Sequence, residues 1–359
     1  MEKRTLNVCF LPQKGYKNWW HSAIVVTLWL KMAYQAPQHA LLARHTFVRM
    51  AMMMLVLLVG MGTQRVFAQQ DVAFLHYWRM ETQWNPAAVG QSPQLSIQGA
   101  VQTHAMGYEQ AGSTMWAGAD MAFAMGNTQH GVGAMFLNDN IGLFSHKRFS
   151  LQYAYHQPWK GATLAFGVQA DMLQESIDGS KADLGNKSDP AFPSAQVNGS
   201  AFDLTIGSYY QRKALRLSAS YHHLAAPTVR LGETHELPIR GVLNVGTQYN
   251  IRTSSPLFTI IPSAMLRSDF TDYRIDVTLR GQYSFENRLI FGGINYAPQR
   301  SVALFVGGTL QGIDISYGYE AYTSGLGLGA GQHEIVLAYR LPLDLGRKQR
   351  NLHKSVRWL

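Results

Sequence analysis

Few residues in this 359-residue chain have the type and spacing that chemistry requires. His222 and His223 are adjacent, and in a strand neighbouring side chains point to opposite faces, so the two imidazoles could not share one metal. His235-Glu236 and His333-Glu334 lack a second histidine at helical spacing, so neither builds a zinc-protease site. No Gly-x-Ser-x-Gly elbow and no Walker-type phosphate loop occurs. The single cysteine, Cys9, excludes a disulfide framework and a cysteine-based zinc site. Asp139, with Asn138, Asn140 and Gly142, is the richest cluster of acid and amide groups, yet it falls short of the ligand count of a calcium loop and reads as a turn closing a strand. The expectation is no enzyme, no cofactor and no metal.

Two further motifs suggest structure or binding. In Asn85-Pro86-Ala87-Ala88 the proline fixes its own φ and steers Asn85 away from the helical region. With Gly90, it reads as a plug or lead-in segment ahead of the first strand. At the other end, Arg347, Lys348, Arg350, Lys354 and Arg357 stand without an acid in residues 347–359. Such a cluster suits anionic headgroups or an acidic partner, the alternative being a solvated tail.

The elements that must position these residues follow from where charge and apolarity sit. The formal charge of +9 invites a nucleic-acid reading. However, residues 1–68 hold eight Lys or Arg against one acid, Glu2, and the tail holds five more cations. Residues 69–346 carry 18 basic and 21 acidic groups, so the body is not basic and nucleic acid is not the expected partner. Arg44 and Arg49 precede an apolar run at 50–61, followed by Val66-Phe67-Ala68 before Gln69, the pattern of a cleaved secretory signal. That run is short of the roughly 20 residues a membrane helix needs. The leader is thus 1–68, with 1–31 ascribed to a start codon placed too early.

Beyond Gln69 the dominant signal is alternation with period two. Leu164, Phe166, Val168, Ala170 and Met172 oppose Ala165, Gly167, Gln169 and Asp171, and comparable segments recur to Ile335, Leu337, Tyr339 and Leu341. These read as strands. Their length, roughly 9 to 12 residues, exceeds the 5 or 6 usual for soluble strands and suits a bilayer. Fourteen are expected, among them 146–157, 163–173 and 201–212, with 174–200 as one long polar connection. Short connections alternate with long ones, as in barrels with periplasmic turns and extracellular loops. The predicted fold is all-β: a transmembrane antiparallel up-and-down β-barrel of about 14 strands with both termini periplasmic. Its parts are a 69–93 periplasmic or plug segment, a 94–345 barrel and a 346–359 basic periplasmic tail. A soluble barrel or sandwich is the competing fold, disfavoured because the alternations lack a charged outer face.

The ordered motifs resemble the PorP/SprF family of type IX secretion outer-membrane proteins of Bacteroidetes-type bacteria. They are Asn85-Pro86-Ala87…Gly90, Asp139…Gly142, Tyr153-Ala154-Tyr155, Phe202-Asp203…Gly207, His223…Pro227 and His333-Glu334-Ile335. The resemblance implies a non-enzymatic barrel in the outer membrane that supports export or surface retention of secreted cargo proteins. It also implies, as partners, ring proteins like PorK and PorN and a peptidoglycan-associated lipoprotein like PorE, besides outer-membrane lipid. An outer-membrane porin or ligand-specific transporter is the alternative, because the inward Gln, Ser, Gly, Ala, Asp and Arg side chains fit an open lumen as well as a plugged one.

Overall fold

Alternation on this scale can satisfy every backbone N–H and C=O inside a bilayer only if the sheet closes on itself. The computed structural model describes residues 71–104, 111–126, 128–181, 195–232, 235–286, 288–323 and 331–342. The leader and the basic tail, with Arg347, Lys348, Arg350, Lys354 and Arg357, lie outside them.

The strands are β1 (Leu95–Thr103), β2 (Ser113–Met125), β3 (Thr128–Ile141), β4 (Phe144–Trp159), β5 (Ala162–Asp178), β6 (Gln196–Arg212) and β7 (Leu215–His222). They continue with β8 (Thr228–Leu231), β9 (His235–Pro238), β10 (Val242–Tyr249), β11 (Ile251–Arg252), β12 (Phe258–Ser268) and β13 (Tyr273–Phe285). The last are β14 (Arg288–Ala297), β15 (Ser301–Leu310), β16 (Ile313–Tyr322) and β17 (Gln332–Leu341). Setting aside the separate β8–β9 hairpin and the two-residue β11, fourteen antiparallel strands follow one another around the ring. β10 bridges β7 and β12, and β1 pairs with β17 from Leu95↔Leu341 to Thr103↔His333, which closes the barrel.

The distribution of polarity is inverted relative to a soluble fold. On β5, Phe166 and Met172 are each 58% exposed, while Gln169 and Asp171 are 1% and 2% exposed. The same inversion holds on β15 and β17, where Leu304 and Ile335 face outward. An apolar outside around a polar inside is the arrangement lipid demands. A register row Phe149–Met172–Phe202 marks one border of the apolar belt, because the next row outward is Lys147–Gln174–Ser200.

Two sequence expectations need correction here. Residues 174–200 are not one loop: β5 runs to Asp178 and β6 starts at Gln196, paired with each other to the last residue. Beyond the belt the outward side chains are Gln174, Ser176, Asn198 and Gln196, so the apolar half of the alternation fades although the ladder continues. Likewise Asn138, Asp139 and Asn140 do not form a turn. β3 carries them in register with Lys147, His146 and Ser145, and only Gly142, at φ 59°, and Leu143 turn the chain.

At 17 residues, β5 and β6 are each about 55 Å long, more than a bilayer requires. Their projecting ends rise on the side of the longer connections, 104–112, 179–195, 223–241 and 323–331. The β8–β9 hairpin packs against them so closely that a Cβ on Gly199 would stand 2.1 Å from the Arg230 carbonyl oxygen. Val229 and Leu231 are buried in that contact.

Candidate functional site

The chain ahead of β1 fills the lumen. Phe74, Leu75, Tyr77, Met80, Trp84, Ala87, Ala88 and Val89 are all buried, at about 1.5–3 kcal/mol for each large side chain. Phe74 and Met80 pack with Trp116, Met135, Leu137 and Val336 of the wall. Leu75 packs with Phe291 and Phe305, while Tyr77 and Trp84 pack with Met265. Asp71 lines a cavity at the mouth with the long connections, and Gln91 lines another at the mouth with the short turns. The segment therefore runs lengthwise down the barrel before β1 begins.

Polar anchors fix it along its whole length. At the start, Asp71 Oδ2 lies 3.5 Å from Arg148 Nη1, 3.2 Å from His222 Nδ1 and 3.7 Å from His223 Nε2. His223 Nδ1 is 2.5 Å from Asp203 Oδ2. The expectation that His222 and His223 face apart is thus overturned. β7 ends at His222, and His223 has φ 57°, which turns its ring back toward the same carboxylate. Burial opposes ionisation of Asp71, but Arg148 and the two histidines outweigh it and hold the carboxyl well below its ordinary range. Burial also works against protonated His223, yet Asp203 and Asp71 raise it to about 9.

Midway, one acid of the closing strand holds two backbone groups. The Leu75 and His76 amides donate to Glu334 at 2.7 and 2.9 Å, His76 Nδ1 lies 2.6 Å from it, and Gln102 Nε2 donates at 3.1 Å. Arg79 pairs with Asp314 at 2.5 Å, and Arg280 stacks 3.5 Å above the Trp78 ring. Arg216 reaches Glu81 at 2.7 Å, and Ser218 also donates to Glu81. Hydrogen bonds to charged groups of this kind are worth about 1.5–3 kcal/mol each.

Farther along, a four-residue helix, α1 (Glu81–Trp84), leads into a 3-10 turn, Pro86–Ala88. Asn85 is extended, at φ −136°, and caps that turn: its Oδ1 accepts from Ala87 N at 3.0 Å and its Nδ2 donates to Ser208 O at 2.9 Å. The wall here is glycine for a reason of space. A Cβ on Gly167 would lie 2.2 Å from Ala87 N, and one on Gly207 would lie 2.1 Å from Asn85 Oδ1. Gly90 N then donates to Asp120 at 2.9 Å, and its carbonyl accepts from Gln129 at 2.6 Å.

The motif residues thus divide. Asn85, Pro86, Ala87, Gly90, Asp203, His223 and Glu334 meet in the lumen filling or its anchors. Asp139 faces the long-connection cavity and accepts from Thr114 at 2.5 Å. Tyr153 and Tyr155 sit apart on β4, gathered with His130 at a Tyr153 hydroxyl distance of 2.7 Å and a Tyr155 ring distance of 5.3 Å. His333 contacts the Tyr317 hydroxyl at 2.8 Å. Pro227 accepts from Ile239 N at the base of the hairpin, and Gly142 only turns the chain. Asp71, His76, Trp78, Glu81 and Arg148 escape the motif reading; the aromatic run Phe74, Tyr77, Trp78, Trp84 before the first strand is the signal that marks the first four, while Arg148 is set apart only by its inward place on β4. Among the described residues no group of three or more His, Cys, Asp or Glu is placed to hold a metal.

The family model described as type IX secretion system membrane protein PorP/SprF matches residues 66–339. No curated protein matches the chain. Among solved structures, the Ralstonia pickettii toluene transporter TbuX is similar over 72% of this chain and 92% of its own, at 13% identity and a TM-score of 0.44. The Pseudomonas putida toluene transporter TodX is similar over 76% and 95%, at 9% identity and 0.45. A triple mutant of Rhodopseudomonas blastica porin is similar over 69% and 99%, at 9% and 0.31. These distant likenesses concern the fold.

Proposed function

Because the chain belongs to the PorP/SprF family of type IX secretion system membrane proteins, we propose that it is a non-enzymatic outer-membrane barrel of that system. It supports export or surface retention of secreted cargo as a scaffold, not as a conduit. One observation carries the scaffold reading: the lumen is filled by the chain's own residues 71–90, anchored to the wall from Asp71 to Gly90. A diffusive porin needs an open polar lumen. In this reading the leader is removed before Gln69, the short turns and the end of β17 face the periplasm, and the long connections with the β8–β9 hairpin face outward.

The partners in this reading are periplasmic ring proteins of the PorK and PorN kind, a peptidoglycan-associated lipoprotein of the PorE kind, and the secreted cargo. Affinity recovery of the full-length protein from native membranes is the decisive experiment. Ring components are expected to come with it. Recovery of the barrel alone, under conditions that keep the ring intact, would remove the reading.

A further inference from the structure

The projecting end of β6 has a neighbour on one side only. β5 pairs with β6 from Gln196 to Gln211, whereas β7 covers the other edge only from Ile206 to Arg212. Just above Ile206 that edge is closed by the chain leaving β7. The Leu224 amide donates to the Leu204 carbonyl at 2.9 Å, and the Leu204 and Ala225 amides donate to Asp203 Oδ1 at 2.7 and 3.2 Å. In an antiparallel strand the N–H and C=O of one residue point the same way, and the direction alternates along the chain. The Leu204 carbonyl therefore fixes which residues face the open side: Phe202, Ser200, Asn198 and Gln196. Their backbone groups on that side have no hydrogen-bond partner among the described residues.

Exposed strand edges are normally blunted by lysine, proline, a bulge or a cover. Gln196-Val197-Asn198-Gly199-Ser200-Ala201-Phe202 contains neither proline nor charge, and its register with β5 runs without a bulge. The edge is also held in place in advance. β3, β4 and β5 continue alongside to Ile141, Phe144 and Asp178, and the β8–β9 hairpin packs against this end of β6 with Val229 and Leu231 buried. A rigid edge loses little freedom when a strand is added to it. Because the row Phe149–Met172–Phe202 borders the apolar belt, Gln196 to Ser200 stand clear of lipid on the side of the long connections.

The geometry points to this stretch of β6 as a docking edge that takes up an extended, uncharged strand of a secreted cargo protein by β-addition. The inference rests on the retention role proposed above and names the site where that role is exercised. Backbone pairing supplies the affinity. Beside the exposed Gln196, Asn198 and Ser200 the added strand carries small polar side chains, and beside Val197 and Ala201 it carries small apolar ones.

The test uses the full chain in lipid nanodiscs and a fluorescent nine-residue peptide of alternating Thr and Val, with empty nanodiscs as the blank. The peptide is expected to bind saturably, and the same peptide N-methylated along its backbone about tenfold or more weakly, since it cannot donate to the edge. Asn198→Ala keeps the backbone and should bind within about twofold of the native protein, whereas Asn198→Pro removes an edge N–H and should bind about tenfold more weakly. Should Asn198→Pro fail to fold, the methylated peptide decides alone. No saturable binding above the blank, equal binding of the methylated peptide, or unchanged binding in Asn198→Pro would overturn the docking edge. In cells, Asn198→Pro is expected to move secreted protein from the surface to the medium severalfold while ring components are still recovered with the barrel. Unchanged surface retention would overturn cargo as the occupant. Failure of the native protein to recover ring components would instead remove the secretion reading, with peptide binding at the edge unaffected.

Discussion

At the scale of single residues, the grip on Asp71 depends on two protonation states, and their directions set a pH window. His223 is raised to about 9, so its contribution is complete below the ordinary imidazole value of 6.5 and is lost as pH rises through 9. Asp71 is depressed, so its contribution is complete above the ordinary carboxyl value of 3.8 and is lost only as pH falls below it. With the base-catalysed rise of intrinsic exchange divided out, the protection of the amides near Asp71 should therefore fall as pH rises through 9, and His223→Gln should remove that step. A flat profile in the native protein would contradict the pairing. The glycine cradle gives a second prediction. Gly167→Ala brings a Cβ to 2.2 Å from Ala87 N, an overpacking worth about 1–3 kcal/mol, readable as a lower melting temperature. Gly99→Ala, whose nearest neighbour would be 3.6 Å away, should melt like the native protein. Some of this was legible in the sequence: Asn85-Pro86 announces a fixed, non-helical bend by its own chemistry. The His222-His223 pair was not, because strand parity holds only while the backbone stays extended, and His223 leaves it.

Among elements, the lumen segment behaves as a plug whose removal should change what crosses the barrel. Deleting residues 71–90 is expected to convert a protein of negligible single-channel conductance in planar bilayers into one with steady conductance. Comparable currents before and after deletion would mean the segment does not seal the lumen. Glu334→Gln takes the charge from an acceptor shared by two backbone amides, His76 and Gln102, and should cost about 3 kcal/mol, seen as a fall in melting temperature. The strands themselves were readable because lipid outside and polar groups inside force a strict period of two, as along β5. Their projecting ends were not, since Gln174, Ser176 and Asn198 are polar on the face that carries the apolar signal lower down. For the lumen segment the sequence offered a periplasmic or plug reading of 69–93 but none of its contacts, for a related reason: packed by irregular aromatic contacts, it has no period at all.

For the whole molecule, the sequence reached the barrel, its strand number and its family resemblance, because each is spread over many residues. Cargo and partners depend on surfaces that only a complex reveals. The basic tail is the exception that can be tested: deleting residues 346–359 should leave membrane insertion intact while weakening recovery with periplasmic partners, and unchanged recovery would show the tail to be a bystander. The position of Glu334 bears on how the molecule is put together. It sits on β17, the last strand in the chain, and its carboxylate holds both the lumen segment and Gln102 of β1, the first strand. One carboxylate thus spans the seam at which the sheet closes and the segment that fills it, and a chain without residues 71–90 would leave it Gln102 but neither backbone amide.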